Sequence, residues 1–247
     1  MSVHLLCPMQ AVGKEDWGFC PPTHAEKDYW ERARIECYRQ LCSWQYIVQC
    51  TSAALEDDLD SIWDDHFHQE CFLPAMMESK TRLAVKGNLD QAFFSFVDKA
   101  MEVKDRRDLL ESHYPRELAT LYLLQEDHHR ARHYLLSAFR IFTQQWAAMP
   151  PLLYESRKKL LQQLQPLTEE LDFLEFMAQN DNFKSLQAIR TMIEIWAQRL
   201  PDTHQDPATL WDDVISSRSA FHFFISMPSV KVCVLLHRLL SARDILS

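Results

Sequence analysis

The chain has 247 residues, 47% of them hydrophobic, and this length is sufficient to bury a core without disulfides or metal ions. Its formal net charge of −9 argues against binding to phosphate backbones, because such binding requires clustered lysine and arginine. The longest apolar stretches, around Phe221–Ile225 and Val232–Leu240, are far shorter than the roughly 20 apolar residues of a membrane span. The sequence therefore predicts neither a membrane protein nor a nucleic-acid-binding domain.

Glycine and cysteine usage restricts the fold class and the compartment. Only three glycines occur, and hairpins, bulges and phosphate-binding loops depend on glycine, so helices are favoured. The seven cysteines are an odd number, and no apolar signal sequence precedes them. We expect reduced thiols in a soluble, intracellular protein.

The first half of the chain begins with a clear helix signal. Thr23 and Glu26 form a capping-box pattern, and apolar residues at helical spacing follow. A turn near Ser43 leads to a second helix. After an acidic stretch the helical pattern returns, with Pro74 marking a helix start or a kink. Gly87 and the asparagine after it predict the end of this helix.

The second half of the chain predicts further amphipathic helices. One runs from Asn88 to Met101, and the next two, Leu109–Leu124 and Ala131–Trp146, are joined by a polar turn. Two more pairs are predicted between proline-marked breaks: Leu152–Leu164 with Leu167–Ala178, and Phe183–Leu200 with Ala208–Phe224. No apolar/polar alternation is long enough to predict a strand, so we expect an all-α protein.

Three stretches share a helix-turn-helix pattern of small and aromatic residues: Ala33–Trp44, Leu83–Ala100 and Leu118–Ala138. The third comes closest to a tetratricopeptide unit, although the spacing is looser than the ~34 residues of that repeat. Such units bury their apolar stripes by stacking, which predicts a tetratricopeptide/HEAT-like solenoid of antiparallel helix pairs. An ordinary helical bundle is the alternative.

Two histidine-rich groups contain residue types that bind metals: His66, His68 and Cys71, and His128, His129 and His133. On a helix, His66 and His68 point about 200° apart, and no second Cys or His pair stands at zinc-finger spacing. The second group lacks the glutamate of the hydrolytic zinc motif. We therefore predict no metal site and no cofactor.

Other polar and aromatic groups favour structural roles. The acidic pairs Asp57-Asp58, Asp64-Asp65 and Asp212-Asp213 are interpreted as helix caps and first-turn acids, because adjacent residues on a helix diverge. Three cysteines lie in helical apolar patterns that are typical of small buried thiols: Cys37, Cys42 and Cys50. The tryptophans fall at helix-packing positions. We predict no catalytic residue.

Four segments resemble the FAT region of the phosphatidylinositol 3-kinase-related kinases: I-W-D-D-H-F-H-Q-E-C-F-L-P from Ile62, E-L-A-T-L-Y-L-L-Q-E-D-H-H-R-A-R-H-Y from Glu117, Q-P-L-T-E-E-L-D-F-L-E-F from Gln165 and W-A-Q-R-L-P-D-T-H-Q-D-P-A-T-L-W-D-D-V-I-S-S-R from Trp196. The resemblance is collinear over residues 17–218. We expect FAT-type helical repeats there, a non-family segment at 1–16 and a divergent helical tail at 219–247. The ends suggest a fragment or an incomplete gene product.

The resemblance implies a helical collar that embraces a kinase domain. In the DNA-repair branch of this family, the collar relays the binding of broken DNA ends and the Ku heterodimer into kinase activation. That role is double-strand break repair by non-homologous end joining in the nucleus. The sequence lacks the glycine-rich, catalytic and Asp-Phe-Gly motifs of kinases, which predicts a scaffold rather than an enzyme. The alternative is an independent tetratricopeptide-like adaptor that binds peptide or protein partners.

Overall fold

The structure, a computed structural model, describes residues 23–178 and 186–224, and every regular element in these ranges is helical. The helices are α1 (His24–Gln40), α2 (Trp44–Ala54), a 3₁₀ helix (Leu59–Trp63), a π-helical turn (His68–Phe72), α3 (Leu73–Val85), α4 (Gln91–Glu102), α5 (Lys104–His113), α6 (Pro115–Leu124), α7 (His128–Ala148), α8 (Tyr154–Ala178), α9 (Leu186–Gln198) and α10 (Ala208–Phe224). This confirms the all-α prediction. None of these helices is long and apolar enough to cross a membrane.

The chain divides into two compact units between Lys80 and Thr81. In the first unit, α1 packs on α2, and the core includes Trp44, Ile47 and Met76. The buried hydroxyl of Thr51 donates to the carbonyl of Ile47 at 2.8 Å, so its polarity is satisfied inside its own helix. The predicted segment 1–16 lies outside the described residues.

The second unit is built around the pairing of α6 with α7, which in turn packs on α8. The Tyr122 and Tyr134 rings stack with centroids 5.5 Å apart, and Ala131 has no exposed surface. Further along the chain, α10 packs on α8. Most of the tail predicted at 219–247 lies outside the described residues, which end at Phe224.

Ala131 tests the helix register of the α6/α7 pair. Replacing it by leucine should overpack the interface and lower the free energy of unfolding by about 1–3 kcal/mol. The same change at the exposed Arg132 should cost less than about 0.5 kcal/mol. Urea denaturation of both variants measures the difference, and equal midpoints would contradict the register.

Capping signals in the sequence are confirmed by the structure. The Thr23 hydroxyl accepts from the Glu26 amide at 3.3 Å, while the Glu26 carboxylate accepts from the Thr23 amide at 2.8 Å. Gly87, with φ +92°, follows α3 in the left-handed region, and the Asn88 amide donates to the Leu83 carbonyl at 2.9 Å. These bonds satisfy backbone groups that a helix end leaves unpaired.

The prediction of one helix over Leu109–Leu124 was wrong. The structure has α5 and α6, separated at Tyr114, whose φ of −126° and ψ of 37° lie outside the helical region. Pro115 explains the break, because a proline ring disfavours helical geometry in the residue before it. Proline suits the first position of α6, where its missing N–H costs no hydrogen bond.

The predicted break at Pro166 was also wrong, since α8 continues through it to Ala178. A proline inside a helix removes a hydrogen bond and costs about 3 kcal/mol. Packing of α8 against both α7 and α10 offsets this cost, and Pro166 is itself buried. The Thr168 hydroxyl donates to the Gln165 carbonyl at 2.7 Å, beside the disrupted turn. The predicted pair of helices here is one helix of 25 residues.

Candidate functional site: a buried charge network

The members of the two histidine-rich groups do not come together as a cluster of ligand side chains in the described part of the chain. His66 is exposed and lies 3.6 Å from the Glu70 carboxylate, whereas the His68 ring contacts the Ser61 carbonyl at 3.3 Å. His129 and His133 are exposed on α7. Nowhere in the described residues do three or more His, Cys, Asp or Glu side chains come together as metal ligands would.

Cys50 and Cys71 show no sign of activation as nucleophiles. Burial raises the pKa of both Cys50 and Cys71, and this outweighs the opposing effect of nearby arginines. Cys37, Cys42 and Cys50 are half-buried rather than fully buried. Cys42 lies in the turn after α1 with φ +52°, so its placement in a helix was wrong.

Charged side chains meet instead in the interior of the second unit. They come from α3, α6, α8 and α10, which are distant in sequence but bring these side chains within hydrogen-bond distance of one another. We call the following six residues the charge network: Arg82, Arg116, Glu169, Glu170, Asp213 and Arg218.

Arg116 is the centre of the charge network. Its Nη1 and Nη2 donate to the two Asp213 carboxylate oxygens at 2.7 and 2.8 Å, which is the bidentate geometry of strong arginine–carboxylate pairs. Its Nε and Nη2 also donate to Glu170 Oε1 at 3.2 and 2.9 Å. One guanidinium therefore joins α6 to both α8 and α10.

The end of α3 adds a second cation to Asp213. Arg82 Nη1 lies 2.7 Å from Asp213 Oδ1. Just beyond the helix, Lys86 Nζ donates to Asp212 Oδ1 at 2.7 Å in a more exposed pair. Asp212 and Asp213 thus both anchor α10 to the region around the end of α3. Their interpretation as cap or first-turn acids was wrong, although Asp58 does cap the 3₁₀ helix.

A second bidentate pair is more deeply buried than the pair of Arg116 with Asp213. Arg218 Nε and Nη2 each donate to a Glu169 carboxylate oxygen at 2.7 Å, and the two side chains are 4% and 1% exposed. The guanidinium also lies 5.7 Å from the Trp196 ring centroid, within cation–π range. This pair fastens α10 to α8, and the cation–π contact adds α9.

Arg116 and its two carboxylate partners, Asp213 and Glu170, have shifted pKa values. Burial alone would lower the pKa of Arg116, but Asp213 and Glu170 hold it well above its ordinary value. Burial raises the pKa of Asp213, yet Arg116 and Arg82 outweigh this and lower it overall. For Glu170, burial raises the pKa, and Arg116 offsets only part of the rise. The guanidinium stays charged and Asp213 is its dominant counterion.

These opposite shifts predict opposite pH dependences. Because folding lowers the pKa of Asp213, its contribution to stability is present above the ordinary pKa of 3.8 and is lost as pH falls through the folded value. Because folding raises the pKa of Glu170, its contribution is present below the ordinary pKa of 4.5 and is lost as pH rises through the folded value. Asp213 therefore makes stability rise with pH below about 3.8, whereas Glu170 makes it fall with pH above about 4.5.

Matched amide variants separate the two contributions. Relative to the wild type, we expect Asp213→Asn to become more destabilising as pH rises toward 3.8 from below, and Glu170→Gln to become less destabilising as pH rises above 4.5. Urea midpoints measured on both sides of these two pH values follow both trends. Parallel curves for the two variants would contradict the assignment of Asp213 as the dominant counterion.

The chemistry of the charge network is structural. Each carboxylate faces at least one guanidinium at hydrogen-bond distance, so the charges balance one another inside the unit. Breaking a buried pair leaves an uncompensated charge, which makes such pairs sensitive to any separation of the helices they join. The network holds helices together in one register and presents no reactive group.

The described part of the chain is a helical domain that buried charges hold together, and it has no reactive centre. Comparison with known proteins gives a family that agrees with this structure. The sequence model of the FAT domain matches residues 76–233, and the chain belongs to this family of helical-repeat domains. The match includes all six residues of the charge network.

The individual relatives are DNA-dependent protein kinase catalytic subunits. The chain is 39% identical to the protein from Gallus gallus over 220 residues, 41% to that from Xenopus laevis over 204 residues and 30% to that from Dictyostelium discoideum over 201 residues. These alignments cover 87%, 81% and 80% of this chain but only 5%, 5% and 4% of the relatives. The chain therefore spans about a twentieth of their length, and the resemblance predicted from the sequence is confirmed.

Proposed function

We propose that the chain is a non-catalytic helical scaffold segment of a DNA-repair protein kinase that acts in double-strand break repair by non-homologous end joining. The observation that carries the proposal is the charge network, in which Arg116 and Arg218 link three helices through buried bidentate pairs. Such pairs favour a rigid arrangement over a deformable one, and rigidity suits a segment that supports a neighbouring domain. Family membership favours this function over an independent adaptor.

The proposed partners follow from the family and from the relatives, which are catalytic subunits of DNA-dependent protein kinases. We propose that the segment contacts the kinase domain of the same protein family and acts with the Ku heterodimer and DNA-end complexes in the nucleus. The proposed segments, FAT-type repeats over 17–218 with different sequences at 1–16 and 219–247, define the piece to be tested. The chain itself is proposed to have no phosphotransfer activity.

A binding experiment tests the scaffold proposal directly. The 247-residue chain is immobilised, and binding of the recombinant kinase domain of the Xenopus laevis relative is measured by biolayer interferometry. We expect saturable binding that Arg116→Met weakens, because the surface depends on the helix register that Arg116 fixes. Lys159→Met, at an exposed position of α8, is the control and should bind like the wild type.

Two outcomes would contradict the proposal. Absence of binding at micromolar concentrations of the kinase domain would contradict the scaffold role. Transfer of labelled phosphate from ATP to a protein substrate by the purified chain alone, abolished by chelating magnesium, would restore an enzymatic function.

A further inference from the structure

The outward face of α7 carries basic residues without acidic ones. Six exposed residues at helical spacing form what we call the α7 outer stripe: His129, Arg132, His133, Leu136, Arg140 and Thr143. Steps of three and four residues place them on one side of the helix. The inward side of the same helix is buried and carries Ala131, Tyr134, Leu135 and Ala138.

No acidic residue occurs anywhere in the 21 residues of α7, although the chain as a whole has 35 acidic and 26 basic residues. Arginines on α1, by contrast, have carboxylate partners within one turn, as in the pairs Arg34–Glu31 and Arg39–Glu36. At the start of α7 itself, Arg130 pairs with Asp127 at 3.1 Å, but Arg130 lies off the stripe.

The arginines of the stripe are not neutralised in this way. Arg132 and Arg140 have no carboxylate within ion-pair distance among the described residues, and the contact of the Arg140 guanidinium is a hydrogen bond of 3.3 Å to the Ser137 hydroxyl. Positive charges that repeat along one face without acids destabilise a helix slightly. A face that only keeps a helix soluble usually mixes both signs.

An apolar residue lies in the middle of these charges. Leu136 is 49% exposed, between Arg132 and Arg140. Protein interfaces commonly place an apolar contact at the centre and charged contacts at the rim. The stripe extends over roughly 21 Å, the rise of an α-helix from residue 129 to residue 143, which equals about four turns of a partner helix.

We propose that the α7 outer stripe binds an acidic polypeptide segment, whose carboxylates pair with Arg132 and Arg140 and whose apolar side chain packs on Leu136. Charge complementarity argues for this occupant, because the exposed arginines of the stripe have no carboxylate partner among the described residues. A polypeptide is favoured over a nucleic acid because the centre of the stripe is an exposed leucine, which packs on an apolar side chain and offers nothing to a phosphate.

The test uses the full chain and a fluorescein-labelled peptide of about fifteen residues, in which leucine recurs every three or four positions among glutamates. Fluorescence anisotropy measures its affinity at about 50 mM salt and again at about 200 mM salt. We expect the double variant Arg132→Glu with Arg140→Glu to lose at least about tenfold in affinity. The control, Lys27→Glu with Lys159→Glu, makes the same change in net charge at exposed positions and should lose less than about threefold.

A second pair of variants tests the apolar contact. Leu136→Ala should weaken peptide binding by about threefold, whereas Leu161→Ala, at a residue of nearly equal exposure, 48%, should leave it unchanged. Circular dichroism melts establish that each variant is folded. If the double variant Arg132→Glu with Arg140→Glu melts at a lower temperature than the wild type, the double variant Arg132→Gln with Arg140→Gln is compared in its place.

Three results would overturn the inference: no peptide binding at the lower salt concentration, equal losses in the stripe and control variants, or tighter binding of a single-stranded oligonucleotide that depends on the same arginines. None of them bears on the scaffold proposal, which depends on the kinase-domain experiment.

Discussion

Replacing Arg116 by methionine is expected to lower the free energy of unfolding by about 3–5 kcal/mol, the range observed when one partner of a buried ion pair is removed. The loss has a specific cause. Asp213 and Glu170 are almost fully buried, and without the guanidinium they would lack both their counterion and the water that could replace it. Methionine keeps much of the packing volume, so the effect reports charge rather than a cavity. Urea denaturation followed by circular dichroism measures it.

A triple variant tests whether the loss of stability comes from the unpaired charges rather than from a change in the fold. Adding Asp213→Asn and Glu170→Gln to Arg116→Met removes the two orphaned charges and should recover part of the lost stability, because replacing a whole buried ionic group is far less costly than breaking it. Arg107→Met, at a half-buried position on α5, controls for loss of an arginine. A triple variant less stable than Arg116→Met would contradict the explanation.

Truncating Phe173 to alanine should lower the free energy of unfolding by about 3–5 kcal/mol, as expected for a large core aromatic. Phe173 has no exposed surface, and its ring stacks on Phe221 with centroids 4.1 Å apart. This contact joins α8 to α10, the same helices that the Arg218–Glu169 pair joins. The variant leaves a cavity that the surrounding helices cannot fill without shifting.

The matched control for this variant is Leu152→Ala, at a residue 94% exposed, which should change stability by less than about 0.5 kcal/mol. A double-mutant cycle with Phe221→Ala should give a coupling energy of about 0.5–1.5 kcal/mol for the stacked pair. Coupling near zero would show that the two rings do not support each other in solution.

Much of the helix content could be predicted from sequence, because it depends on local signals. The capping box at Thr23 and the glycine at position 87 act within a few residues, and both helix boundaries were found. The α10 helix was predicted with the bounds that the structure gives, Ala208–Phe224. Local signals of this kind determine where a helix begins and ends, provided that packing does not override them.

The two errors at proline show where packing does override them. Pro115 was missed as a break, and Pro166 was predicted as a break that does not occur. Both prolines have the same intrinsic preference against the interior of a helix. Pro166, however, lies in a helix that packs on both α7 and α10. Tertiary contacts of that kind offset the lost hydrogen bond, and they cannot be deduced from the residues next to the proline.

The charge network could not be predicted because its partners are far apart in sequence. Arg116 is 97 residues from Asp213 and 54 from Glu170. A local signal did exist at Glu169 and Glu170, which stand together between apolar residues of the Leu167–Phe176 stretch. Two acids on the apolar side of a helix indicate buried counterions, but they do not identify them.

The bidentate pairs have a consequence for how such a sequence can change over generations. A mutation at Arg116 is harmful while Asp213 and Glu170 remain, and mutations at the two acids are harmful while the arginine remains. Each position is therefore constrained by the state of the others, so evolutionary paths that alter them singly pass through unstable intermediates. Lineages would be expected to retain all of these residues or to exchange them together, and pairs that vary jointly in this way indicate contact in space.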